Sequence, residues 1–228
     1  MLLGLDVGGT FTDAVIIDGH RVVATAKRRT TKDNLMNGIG EALDAVLEGY
    51  DTSNIEQVTL STTVVTNTIV EEKEQVVDLY VVTGPGRNVD DIFPVKPIYL
   101  QGYTDHRGIV VEHTPADAVR GIANMVQARS GTDLAAVSAK FGVRNPQEEL
   151  SITEELKNTY HTISNGSLLS GSLNFPRRTI SAYFNSAVTP VFTVFKKNVE
   201  DALSARNIVA PLHILKADGG SLPVEHMV

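Results

Sequence analysis

Short apolar runs open the chain. Leu2 to Val7 and Asp13 to Ile17 are β-branched and apolar, and Asp18-Gly19 is a turn dipeptide ahead of Arg21 to Ala26. Strand-length runs joined by tight turns predict a three-stranded antiparallel meander. The period then lengthens. Leu35, Ile39, Ala42, Leu43 and Val46 share one helical face, Gly49 ends it, and Thr30 with Asp33 supplies a capping signal. Val58 to Leu60 reads as a brief strand, Ser61-Thr62-Thr63 as a polar junction, and Val64 to Glu72 as a second helix. Val76 to Val82 is a strong strand closed by Gly84-Pro85-Gly86.

The middle of the chain is less regular. Arg87 to His113 is rich in Asp, Pro and Gly, and Ile98 to Leu100 is expected to pair with Ile109 to Val111. Thr114-Pro115-Ala116-Asp117 combines a capping residue, a proline at the first helical position and an acid in the first turn. Val119, Ile122 and Val126 supply the buried face of that helix, Leu134 to Phe141 is a buried strand, and Asn145-Pro146-Gln147-Glu148 starts a further helix. An antiparallel meander followed by alternating helices and strands predicts an α/β layer fold.

Ser164 to Phe175 is a Ser/Gly-rich shift in composition and reads as a linker or loop. From Arg178 to Arg206 the residues Ile180, Phe184, Val188, Val191, Phe195, Val199 and Leu203 recur at helical spacing, a stripe that reads as core packing. Pro190 is expected to kink or divide that helix. A last strand, Leu212 to Leu215, runs into Asp218-Gly219-Gly220.

Composition narrows the classes. With 228 residues, 42% of them hydrophobic, the chain can bury a substantial core. The net charge is −7, and Arg28-Arg29 and Arg177-Arg178 are isolated pairs that read as solvated faces, so nucleic-acid binding has no electrostatic footprint. Cysteine is absent, which excludes disulfides, thiolate zinc sites and cysteine nucleophiles and fits a cytoplasmic location. No apolar run reaches the roughly 18 residues of a membrane span, and the opening residues lack the basic region of a secretory signal. Six scattered histidines show no metal-ligand spacing. The acid runs Glu71-Glu72 with Glu74, and Glu148-Glu149 with Glu154-Glu155, read as solvated helix faces.

Candidate chemistry centres on Asp6-Val7-Gly8-Gly9-Thr10. The turn lacks the lysine of a Walker loop and the helix that follows a dinucleotide loop. Its glycines lie in a hairpin, where the N–H groups of Gly8, Gly9 and Thr10 can form a nest around phosphate oxygens, with the Thr10 or Thr12 hydroxyl as a further donor. Asp6 can hold a hydrated Mg2+, which needs only one or two carboxylates. The alternative is a plain hairpin whose glycines supply positive φ. Thr62, Thr63 and Asn67 stand where a strand enters a helix, either a ligand crevice or simple capping. Asp218-Gly219-Gly220 repeats the acid-plus-glycines pattern, as a ligand loop or as the turn after an edge strand.

The segment from Asp6 to Val15 (DVGGTFTDAV) resembles the opening of the hydantoinase/oxoprolinase family, the hydantoin-utilisation A-type proteins that include 5-oxoprolinase and the acetone carboxylase β subunit. Ser61 to Glu71, Arg177 to Val191 and His213 to Pro223 resemble three further family segments in the same order. The resemblance implies an α/β, ribonuclease H-like fold of the actin-like ATPase superfamily, here its N-terminal half, a mixed sheet with flanking helices. It implies ATP with Mg2+ in a cleft between two halves, and a small cyclic amide, hydantoin or ketone as substrate. A B-type partner subunit or a homo-oligomer is the assembly it suggests. Carried over by position, Asp6, Gly8, Gly9, Thr10, Thr12 and Asp13 form the first phosphate and Mg2+ element. Thr62, Thr63 and Asn67 line the cleft, and Asp218, Gly219 and Gly220 open the second half. Residues 1–165 are then the family's N-terminal domain, and 166–228 a linker, a long helix and the start of a second, truncated ATPase-like domain. Two features depart from the pattern: Gln147 stands where the family has a histidine before Glu148, and no second glycine-rich acidic hairpin follows Gly220. The expectation is therefore an N-terminal piece of a longer ATP-dependent enzyme. Its alternatives are an acetone carboxylase β-like subunit, an actin-like small-molecule kinase and a non-catalytic fragment or assembly module.

Overall fold

A computed structural model describes residues 1–30, 35–86 and 90–227. In chain order the strands are β1 (Leu2–Val7), β2 (Phe11–Asp18), β3 (Arg21–Arg29), β4 (Gln57–Thr62), β5 (Asp78–Val82) and β6 (Ile98–Tyr99). They continue as β7 (Tyr103–Thr104), β8 (Val110–Glu112), β9 (Leu134–Ala139), β10 (Thr162–Asn165), β11 (Leu212–Leu215) and β12 (Ser221–Pro223). The helices are α1 (Leu35–Leu47), α2 (Val64–Val70), α3 (Ala116–Ser130), α4 (Gln147–Leu156), α5 (Gly166–Leu169) and α6 (Phe175–Ser204). The expected capping partner of α1, Asp33, lies outside the described residues.

The chain forms two compact units, residues 1–73 with 190–228, and residues 74–189. The first holds a six-stranded sheet in the order β12-β11-β4-β1-β2-β3. The predicted meander is there: β1 pairs antiparallel with β2, and β2 with β3. β4 then lies parallel to β1, and β11 parallel to β4. Alternation along the strands sends Leu3, Leu5, Val7, Ala14, Ile16, Val58 and Leu60 to one face, against Ile39, Leu43 and Val46 of α1 and Phe195, Val199 and Leu203 of α6. Each such side chain contributes about 1.5–3 kcal/mol by leaving water. β11, which runs into Asp218-Gly219-Gly220, joins this sheet by taking up the hydrogen-bonding edge of β4.

The second unit is built on a parallel sheet in the order β10-β9-β5-β6. One face packs against Val119 and Ala123 of α3 and Ile152 and Leu156 of α4. The other packs against Phe93 and against Phe175, Ala182, Tyr183 and Ala187 of α6. The compact units therefore divide the chain at places other than the 165/166 boundary drawn from the sequence.

Several local expectations change. Ile98-Tyr99 pairs with β5, while Val110 pairs with Thr104 in a separate hairpin. Pro115, not Thr114, is the N-cap of α3. Pro190 lies inside a helix that continues from Phe175 to Ser204, and the boundary between the units falls on it. The Ser/Gly-rich stretch is not all loop: Asn165 ends β10 and caps α5, accepting from the Ser167 N–H at 3.1 Å.

Three charged groups read as solvated are buried, Glu148, Glu149 and Arg178. Each is fixed by backbone partners. Glu149 accepts from the N–H groups of Ala139 and Ser167, both at 2.7 Å. Arg178 donates to the carbonyls of Ser172 and Ala139, at 2.7 and 2.8 Å. Glu148 accepts from the Thr114 N–H at 2.9 Å and lies 2.6 Å from His113 Nδ1. Burial lowers the Arg178 pKa, and the nearby Glu149 carboxylate opposes that shift.

Candidate functional site: the first hairpin and its cavity

The β1–β2 turn carries the hairpin at the end of the first sheet. Gly8 donates its N–H to Phe11 O at 3.0 Å, and Thr30 donates its N–H to Thr10 O at 2.9 Å. One of the three expected phosphate donors, Gly8 N–H, is therefore already engaged. The Gly9 and Thr10 N–H groups have no acceptor among the described residues.

Neither glycine has a positive φ. Space is what requires them. A Cβ on Gly9 would stand 3.0 Å from Asn67 Nδ2, and one on Gly8 would stand 3.1 Å from Phe11 O. The hairpin thus lies directly against α2. On that side Thr62 donates its hydroxyl to Val7 O at 3.0 Å and accepts from the Val64 N–H at 3.1 Å. Asn67 Nδ2 donates to Thr63 Oγ1 at 3.3 Å. The N-cap of α2 is Thr63, whose side chain makes no capping bond, while the Thr62 contacts bind the strand end to the helix start.

Around these groups is a cavity of about 510 Å3 lined by Gly8, Gly9, Thr10, Thr62, Thr63 and Asn67, with Val191 and Phe195 of α6 also on its wall. Thr30, Thr68, Glu71 and Lys73 line it as well. Sequence patterns did not single out these four. Thr30 was read only as a helix cap, and Glu71 as part of a solvated run.

The remaining expected residues lie elsewhere. Thr12 is fully buried. Its hydroxyl stands 3.0 Å from Thr30 Oγ1, which donates to Gly8 O at 2.8 Å, so Thr12 braces the hairpin from within the sheet. Asp6 and Asp13 are cross-strand partners, and Asp6 also pairs in register with Ser61. Strand alternation turns them to the opposite face from Val7 and Thr12, where they line a separate cavity of about 620 Å3 with Ser61 and Lys27. Lys27 pairs with Asp13 at 2.9 Å. No described residue hydrogen-bonds to the Asp6 carboxylate. Asp218-Gly219-Gly220 is the turn of the β11–β12 hairpin, with Gly219 at φ 84° and the Gly220 N–H donating to Asp218 Oδ1 at 2.9 Å. The hydrogen bond from Lys216, followed by that N–H, lowers the Asp218 pKa. This turn is absent from the lining of both cavities.

The described residues contain no group of three or more His, Cys, Asp or Glu placed to hold a metal. The donor set of the first cavity consists of backbone N–H groups, threonine hydroxyls, one amide and one lysine, which suits phosphate oxygens. Asp6, the carboxylate expected to hold Mg2+, lines the other cavity, so the Mg2+ and phosphate elements expected from the sequence are not brought together.

With this geometry in place, comparison with known proteins is direct. The chain matches the family model of the hydantoinase/oxoprolinase N-terminal region over residues 2–160, and it belongs to that family. Two solved structures share its fold. One is acetone carboxylase in its nucleotide-free form, at 17% identity and a TM-score of 0.77, covering 98% of this chain and 37% of that one. The other is the ATP-dependent caprolactamase from Pseudomonas jessenii, at 17% identity and a TM-score of 0.76, covering 98% of this chain and 36% of that one. The chain therefore spans little more than a third of the length of these relatives. No curated protein sequence matches it. The fold is α/β, with flanking helices on a mixed and a parallel sheet, as in these two structures. No described helix is long and apolar enough to cross a membrane.

Proposed function

We propose that this chain is the N-terminal portion of an ATP-dependent enzyme that opens a cyclic amide, a lactam or hydantoin ring. The observation that carries the reading is the Gly8–Thr10 hairpin, packed so close to α2 that a Cβ on Gly9 would stand 3.0 Å from Asn67 Nδ2. It leaves two N–H groups beside a polar cavity. ATP with Mg2+ is the proposed cofactor, and bound there it supplies the phosphoryl group that activates the amide carbonyl. The chain's own residues orient it. Gly9 and Thr10 N–H groups and the Thr10 and Thr63 hydroxyls would donate to phosphate oxygens. Catalysis in this class rests on positioning and electrostatics rather than on a protein nucleophile. A second wall for the nucleotide, a B-type partner subunit and the contacts to the ring are proposed to come from beyond these residues.

The test is a coupled ADP-release assay on the enzyme that carries this region, offered 5-oxoproline, hydantoins and acetone. Ring-dependent ADP release is the expected result, and release with acetone alone would replace the amide reading with a carboxylase one.

A further inference from the structure

Among the described residues lining the hairpin cavity, Lys73 is the one cation. Its placement is built. α2 ends in a reversal in which Glu72 N–H donates to Ile69 O at 3.1 Å and Lys73 N–H donates to Thr68 O at 2.9 Å. That reversal needs a left-handed residue, and Glu72 provides it at φ 53°. Glycine is the usual occupant, so a glutamate there stores strain in the segment that delivers Lys73 to the cavity rim. The ammonium group rests on Glu71 Oε2 at 2.5 Å, in a pair exposed on both sides. Such a pair is weakly held and exchanges readily for a better partner.

We propose that Lys73 is a phosphate ligand of this cavity, and that Glu71 holds it in reserve until a polyphosphate arrives. Arrival moves the ammonium from one carboxylate oxygen to phosphate oxygens of higher charge, a charge-assisted exchange with no bond made or broken. Glu71 thereby sets selectivity, because a ligand with fewer charges competes poorly for the lysine. The inference rests on the phosphate reading of the hairpin and adds to it a cation and its competitor.

The experiment is an amide-shift titration of the 15N-labelled chain with Mg·tripolyphosphate at low ionic strength. Saturable shifts are expected at Gly9, Thr10, Thr63 and Lys73. Lys73→Ala is expected to weaken binding about tenfold, the scale of one charge-assisted contact, with Lys73→Arg retaining most of it. Glu71→Gln is expected to tighten binding several-fold. If Lys73→Ala and the parent titrate alike while Gly9 and Thr10 still shift, the lysine is no ligand and the hairpin reading stands without it. If Gly9 and Thr10 do not shift in the parent chain, both readings fail together.

Discussion

At Gly8 and Gly9 the backbone keeps negative φ, so these glycines are not needed for a left-handed turn. Gly9 is needed because Asn67 occupies the space a Cβ would take. Gly9→Ala therefore forces either the hairpin or Asn67 to move. It is expected to weaken phosphate binding by about tenfold or more while costing roughly 0.5 kcal/mol of stability, as exposed turn substitutions usually do. Calorimetry with Mg·ATP and thermal melts read the two effects separately. Thr12 makes the complementary case. Its hydroxyl is bound to Thr30 within the sheet, so Thr12→Val is expected to cost about 1 kcal/mol in denaturant unfolding. Unchanged stability with abolished phosphate binding would return Thr12 to the ligand set.

Among the elements, the buried charges of the second unit matter most. Glu149 holds the N–H of Ala139 at the end of β9 and that of Ser167 in α5. Glu149→Ala orphans the buried Ala139 N–H and takes one of two acceptors from the Ser167 N–H, and it is expected to cost about 2 kcal/mol, with Glu149→Gln recovering part of it. A loss below about 0.5 kcal/mol would mean that the carboxylate is solvated after all. Sequence periodicity located the three strands of the meander, β4, β9, β11 and the long helix, because those elements carry regular apolar faces. It could not locate Glu149 or Arg178 inside the fold. A charged residue beside other charged residues has the pattern of a surface, and only tertiary backbone partners make its burial tolerable. β10 is a similar case: four residues, Thr162 to Asn165, leave too short a pattern to separate from the Ser/Gly-rich stretch that follows.

For the whole molecule, sequence order and spatial grouping part company. The first unit is assembled from both ends of the chain, and the parallel-sheet unit, residues 74–189, includes the first half of α6. Reading in sequence order put β11 in the segment 166–228, apart from β4, because nothing local says that its hydrogen-bonding partner is β4, some 150 residues earlier. The candidate site was legible in a different measure. Its hairpin and the threonine junction line one cavity, whereas Asp6 and Asp13 fall on the other face because strand alternation separates consecutive residues.

The central claim is that the first hairpin and the start of α2 receive phosphate together. Amide hydrogen exchange of the chain with and without millimolar Mg·ATP tests it most directly. The predicted result is slowed exchange confined to Gly9–Thr10 and Thr63–Lys73, with the parallel-sheet unit unchanged. Slowing in residues 74–189 alone, or no change in either segment, would contradict the account.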